Sequence, residues 1–136
     1  MKSAASAVLF AAALGGCAVP PPAAQEIYGQ WVIEQARSEP ILDKRRARLV
    51  LERDGRLSGH NSCNAMTARF ERSGDGFKVG PIATTRMACP ELQREQEDRI
   101  LSALELAATA RVRVDGLLEI RDADGRGLLR AARAAD

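Results

Sequence analysis

Four Asp-Gly dipeptides punctuate the chain, at Asp54-Gly55, Asp75-Gly76, Asp115-Gly116 and Asp124-Gly125. A tight hairpin turn needs positive φ at a central residue, which glycine adopts without a Cβ penalty, so each pair marks a place for the chain to reverse. Flanking them are short apolar or alternating runs at 28–35, 47–53, 56–60, 66–72, 77–80, 111–115, 117–121 and 127–131. Runs so short and so evenly spaced predict strands joined by hairpins, an antiparallel meander. Alternation places Trp31 with Ile33 on one face, and Val112 with Val114 opposite Arg111 and Arg113, as a half-buried strand requires. With Leu49, Leu51, Leu118 and Ile120 these form the expected core.

One segment breaks the two-residue period. Over 90–108, Pro90 suits a first helical turn, Glu91 faces the positive end of the helix dipole, and Leu92, Ile100, Leu104 and Ala107 share a stripe. The expected fold class is α+β, mainly antiparallel β: a small curved sheet or partial barrel with one amphipathic helix packed on it.

The N-terminal segment reads as an address. Met1-Lys2-Ser3 carries one positive charge and is followed by an apolar run over 4–14. As a helix that run reaches roughly 17 Å, short of the ~30 Å hydrocarbon core, so it reads as the apolar region of a secretory signal. Leu14-Gly15-Gly16-Cys17 resembles a lipobox, in which small residues precede the cysteine that receives diacylglycerol. The resemblance implies a lipoprotein signal peptide over 1–16 and acylation of Cys17. A Pro-rich tether over 17–26 then cannot become helical, because Pro20, Pro21 and Pro22 lack amide protons. Ala18 stands where an aspartate favours inner-membrane retention, which tilts the expected location to the outer membrane, facing the periplasm.

The 136 residues leave room for one domain, over 27–131, with a short tail over 132–136. Apolar residues make up 46% and charged residues 28%, in the range of a packed globule. A net charge of +2, with arginine interleaved among acids, gives no footprint for nucleic acid. No Gly-rich loop leads from a strand into a helix, so nothing is built to cradle a phosphate.

The densest stretch runs from Gly59-His60-Asn61-Ser62-Cys63-Asn64 to Thr84-Thr85-Arg86-Met87-Ala88-Cys89. With Gly29-Gln30-Trp31 ahead of it, this pattern resembles the META domain family, which includes the HslJ heat-shock lipoproteins. The likeness covers roughly 27–131. It implies a compact, curved antiparallel sheet with one packed helix, in an envelope lipoprotein linked to stress or antibiotic tolerance and without an established reaction. Two departures stand out: Ser62 replaces the family's usual glycine before Cys-Asn, and Ala65-Met66 replaces a basic-aromatic pair.

Several chemistries compete for these residues. His60, Cys63 and Cys89 could supply three zinc ligands, and Cys63 with His60 could form a thiol nucleophile and base. In an oxidising compartment the arithmetic favours pairing: acylation removes Cys17 from three cysteines, leaving Cys63 and Cys89 for a disulfide. That bridge would contribute about 3.5 kcal/mol on the chain-entropy account. Glu91, Glu95, Glu97 and Asp98 fit a solvated helix face beside Arg94 and Arg99. Asn64 and Thr84-Thr85 fit loop residues that satisfy backbone groups. The expectation is therefore a non-enzymatic envelope lipoprotein with no cofactor and no metal. It is held to the membrane by its lipid and binds an unidentified envelope protein or lipid. A small-molecule or acyl-chain carrier is the alternative, and an enzyme using His60 and Cys63 the more remote one.

Overall fold

The structure, a computed structural model, describes residues 3–5, 7–13, 15–16 and 26–135. The expected lipidation site, Cys17, and most of the expected Pro-rich tether lie outside the described residues. Described positions before residue 17 form no helix or strand.

Ten strands follow: β1 Gly29–Ala36, β2 Glu39–Pro40, β3 Ala47–Leu51, β4 Arg56–Asn61, β5 Ala65–Ser73, β6 Gly76–Val79, β7 Ala83–Thr84, β8 Thr109–Val112, β9 Leu118–Arg121 and β10 Gly127–Arg133. The helix α1, Glu91–Glu105, lies between β7 and β8. Eight strands run antiparallel in the order β10-β9-β8-β6-β5-β4-β3-β1, and β1 pairs again with β10, closing an eight-stranded barrel. The short β2 and β7 attach to β1 and β5. All eight sequence-derived runs become barrel strands, and the expected curved sheet is a full closure. Closure removes the exposed edges that an open sheet would offer to another chain.

Strand direction sorts the connections between two ends. Hairpins β3–β4, β5–β6 and β8–β9, with the chain's approach to β1, lie at one end; the β4–β5 turn, the β9–β10 hairpin and the whole of α1 lie at the other. Three Asp-Gly pairs make the same loop. Glu52 N–H donates to the Arg56 carbonyl (2.9 Å) and Gly55 N–H to that of Glu52 (3.1 Å), with Gly55 at φ +87°. Arg113, Gly116 and Leu117 repeat this at φ +85°, and Asp122, Gly125 and Arg126 at φ +81°. The Arg56 backbone N–H bonded to Asp54 holds that carboxyl below its ordinary range, and the Arg126 backbone N–H does the same for Asp122. Asp75-Gly76 differs from expectation. Ser73 pairs with Gly76, so the two-residue turn is Gly74-Asp75, and Gly74 takes the positive φ of +58°.

The barrel interior is filled by Trp31, Ile33, Leu49, Leu51, Leu57, Met66, Phe77, Leu118 and Ile120, all fully buried, with Ile100 and Leu104 of α1 closing the mouth. The Trp31 indole N–H donates to the Ile27 carbonyl at 2.7 Å, so its one polar atom is satisfied inside the core. Two expected core residues are outside. Val114 is fully exposed, because β8 ends at Val112 and Val114 sits in the following hairpin loop. Leu92 is 40% exposed, because the buried stripe of α1 is Gln96, Ile100, Ala103 and Leu104 and the first turn projects past the barrel. Pro90 stands at the N-cap instead of inside the first turn. At the other end of α1, Arg37 donates to Ser102 Oγ at 2.6 Å, bringing a cation to a last turn that has none of its own.

On the outer wall, Glu119 lies 2.7 Å from Arg121 Nε and 3.4 Å from Arg111. Burial alone would raise its pKa, but the Arg121 hydrogen bond and the charges of Arg121, Arg111 and Arg113 outweigh that and lower it.

Gly59 is where β3 and β4 approach most tightly: a Cβ there would stand 2.0 Å from the Arg48 carbonyl oxygen, a backbone atom that cannot turn aside. Gly59→Ala should therefore cost about 3 kcal/mol or more. At Gly116 nothing lies within 4 Å, so Gly116→Ala should cost only the ~1–2 kcal/mol of a left-handed alanine. Urea midpoints of the two variants check this; equal losses would contradict the close-packing account.

Candidate functional site

The polar side chains singled out in the sequence converge at the barrel mouth. After Asn61 the chain turns through Ser62 and Cys63 into Asn64, and all four are buried. Asn61 Oδ1 accepts the backbone N–H groups of Cys63 (3.2 Å) and Asn64 (2.8 Å), which fixes the turn. Asn64 reaches further. Its Oδ1 accepts from Thr85 Oγ1 at 2.9 Å and Met87 N–H at 2.7 Å, and its Nδ2 donates to Glu97 Oε1 at 3.0 Å. Asn61 Nδ2 donates to the same Glu97 oxygen at 3.1 Å. One carboxylate on α1 thus holds two amides of the β4–β5 turn.

A second tie runs beside it. Gln96, fully buried, donates from Nε2 to Ser62 Oγ at 3.2 Å and accepts the Leu42 N–H at 2.6 Å. Thr85 Oγ1 accepts the Ala65 N–H at 3.1 Å. Cys63 and Cys89 stand in bonding position with their Cα atoms 5.9 Å apart, at a sequence separation of 26. The turn, the loop before α1 and the helix itself are therefore joined by hydrogen bonds from Asn61, Ser62, Asn64, Thr85, Gln96 and Glu97, while Gln93 Oε1 and Arg99 Nε on α1 are buried without a partner.

The geometry places each of the groups singled out in the sequence. His60 Nδ1 donates to the Arg46 carbonyl at 2.7 Å, and Cys63 faces Cys89. Among the described residues no group of three or more His, Cys, Asp or Glu side chains is placed to hold a metal ion. Glu97 departs from expectation, since it anchors Asn61 and Asn64 instead of lying on a solvated face. No ion pair joins Glu91, Glu95, Glu97 or Asp98 to Arg94 or Arg99 among the described residues. Asn64 and Thr85 satisfy backbone N–H groups as expected, while Thr84 serves in β7. Gln96 and Asn61 were missed: a glutamine on an apolar stripe is the signal that marks such a tie, and it is faint in a sequence.

The molecule is thus a small closed β-barrel whose mouth is sealed by one helix through a hydrogen-bonded polar cluster. Residues 24–135 match the META domain, and the chain belongs to the META domain family. It is similar in structure to a protein from Burkholderia xenovorans solved by NMR, with TM-score 0.61, 23% identity, and coverage of 79% of this chain and 83% of that one. A second NMR structure matches at TM-score 0.56 and 20% identity over 76% of this chain and 88% of its own. At these identities the likeness carries the fold alone. No curated protein matches the chain.

Ser62 is a point of backbone strain at the mouth. It is a buried non-glycine residue at φ +84°, a conformation that costs an L-residue ~1–2 kcal/mol. Its N–H donates to the Arg46 carbonyl at 3.1 Å, and its hydroxyl meets Gln96. Ser62→Ala should lose about 1–3 kcal/mol, because the strain stays while the buried Gln96 amide loses its partner. Ser62→Gly should stay within about 1 kcal/mol of the parent, the relieved backbone offsetting the lost bond. Chemical denaturation checks the order; an alanine variant as stable as the glycine variant would contradict it.

Proposed function

We propose that this chain is a non-enzymatic envelope lipoprotein, anchored through an acylated Cys17, whose META domain binds a protein or lipid partner at the membrane surface in envelope stress or antibiotic tolerance. One observation carries the non-enzymatic reading: the polar side chains gathered at the barrel mouth are already engaged with one another. Groups so engaged hold one another in place, and their bonds serve to seat α1 on the turn. The outer surface is then the working part. Around α1 it displays Leu42 (69% exposed), Met87 (67%) and Leu106 (50%), apolar side chains suited to a partner's surface.

The addressing supports the location. Leu14-Gly15-Gly16-Cys17 follows a short apolar run, and among the described residues no helix is long and apolar enough to cross a membrane. Acyl chains would supply anchoring at about 0.8 kcal/mol per buried methylene. Ala18 favours delivery to the outer membrane. The proposed Cys63–Cys89 disulfide belongs with this compartment, where it would hold the start of α1 to the β4–β5 turn. A carrier role needs an interior space, and Trp31, Met66, Phe77 and Ile100 occupy the barrel's interior.

The test is metabolic labelling with a fatty-acid probe. The parent chain should incorporate it and Cys17→Ser should not; equal incorporation, or none in either, would contradict anchoring at Cys17. Alkylation of the same unfolded preparations before and after reduction should label Cys63 and Cys89 only after reduction. Labelling of both beforehand would end the disulfide proposal.

A further inference from the structure

The chain joins the barrel at the end opposite α1, and it is gripped there. Arg133 donates to the carbonyls of Tyr28 (2.6 Å) and Glu26 (2.9 Å), while Arg53 forms a two-point ion pair with the Glu26 carboxylate. The Arg133 guanidinium also stacks over the Trp31 ring, 4.0 Å from its centroid. These bonds hold Glu26 and Tyr28 at this end of the barrel. The point of departure is a fixed feature of the domain.

The same end carries the hairpin loops after β3, β5 and β8. At the tip of the last, Val114 is completely exposed, at 107%. Tyr28 lies under two guanidinium groups, Arg53 at 4.8 Å and Arg72 at 5.6 Å from its ring centroid. Arg69 and Arg72 donate to the backbone carbonyls of Asp54 and Gly74, and among the described residues neither joins an ion pair. An exposed aliphatic tip, a tyrosine with a polar end and two arginines outside any direct ion pair, Arg69 acting on the Asp54 carboxylate only through its charge, compose the kind of surface that settles at a lipid–water boundary.

We propose that this hairpin end rests on the phospholipid surface, with Val114 entering the headgroup layer and Arg69 and Arg72 facing lipid phosphates. The inference rests on anchoring at Cys17. Fully extended, residues 17–25 span at most about 30 Å, so an acylated Cys17 keeps the gripped end close to the bilayer at all times. The bilayer then acts as a second, weak partner whose effective concentration is set by the tether. In this orientation α1 and its apolar rim point away from the anchoring membrane.

The test uses the processed, acylated full chain in vesicles of phosphatidylethanolamine and phosphatidylglycerol. An environment-sensitive fluorophore is placed by Val114→Cys or, at the exposed tip of the β9–β10 hairpin on the opposite end, by Ala123→Cys. Quenchers carried on lipid should reduce the signal at position 114 several-fold more than at 123. Adding Arg69→Glu and Arg72→Glu to Val114→Cys should remove most of that difference. Vesicle-bound protein quenched equally at both positions overturns the docking and leaves anchoring intact. Failure to float with vesicles contradicts anchoring at Cys17, and the docking falls with it.

Discussion

The side chain of Asn64 holds the parts of this domain in register. Its carbonyl oxygen accepts hydrogen bonds from Thr85 and Met87, its amide nitrogen donates one to Glu97, and its backbone N–H donates to Asn61. Three segments distant in sequence thereby meet at one residue: the β4–β5 turn, the loop before α1, and the helix. Buried amides exact a cost of ~1–3 kcal/mol when a partner is missing, so the arrangement is stable only when every member is in place. That condition gives the mouth of the barrel a single seating for its helix.

The remaining architecture follows from that seating. An eight-stranded barrel has an interior that side chains can just fill, and here Trp31, Met66 and Phe77 fill it from the wall while Ile100 and Leu104 enter from the helix. If the helix shifted, its apolar stripe would leave the mouth and open the core to water. Closure of β10 on β1 completes the wall, and Arg133 near the end of β10 then grips the backbone just ahead of β1. One end is thus specialised for sealing and the other for joining the chain that precedes the domain. This separation lets the domain present two different surfaces, one on each side.

Much of the fold was legible because turn chemistry and alternation are local. Asp54-Gly55, Asp115-Gly116 and Asp124-Gly125 announce their loops, and Trp31, Ile33, Leu49 and Leu118 announce their face. Local signals also misled where the backbone made a small choice. Gly74 rather than Gly76 takes the left-handed position, and β8 ends before Val114, so both depend on register across strands that no short window contains. Closure of the barrel was equally hidden, since it depends on the first and last strands meeting. At the mouth, Asn64 and Thr85 could be read as backbone partners, but Glu97 and Gln96 could not. On a helix, the same glutamate and glutamine are indistinguishable from solvated residues until the turn they bind has been placed.

The polar residues at the mouth form a lock for α1. Hydrogen exchange at the α1 amides, compared between the parent and Asn64→Ala, tests this most directly. The account predicts that exchange over residues 97–104 rises about tenfold or more, the equivalent of ~1.4 kcal/mol of lost protection, while the β3 and β4 amides change less. Unaltered protection of α1 in the variant would contradict it, because the helix would then be seated by its apolar stripe alone and the polar cluster would need another purpose.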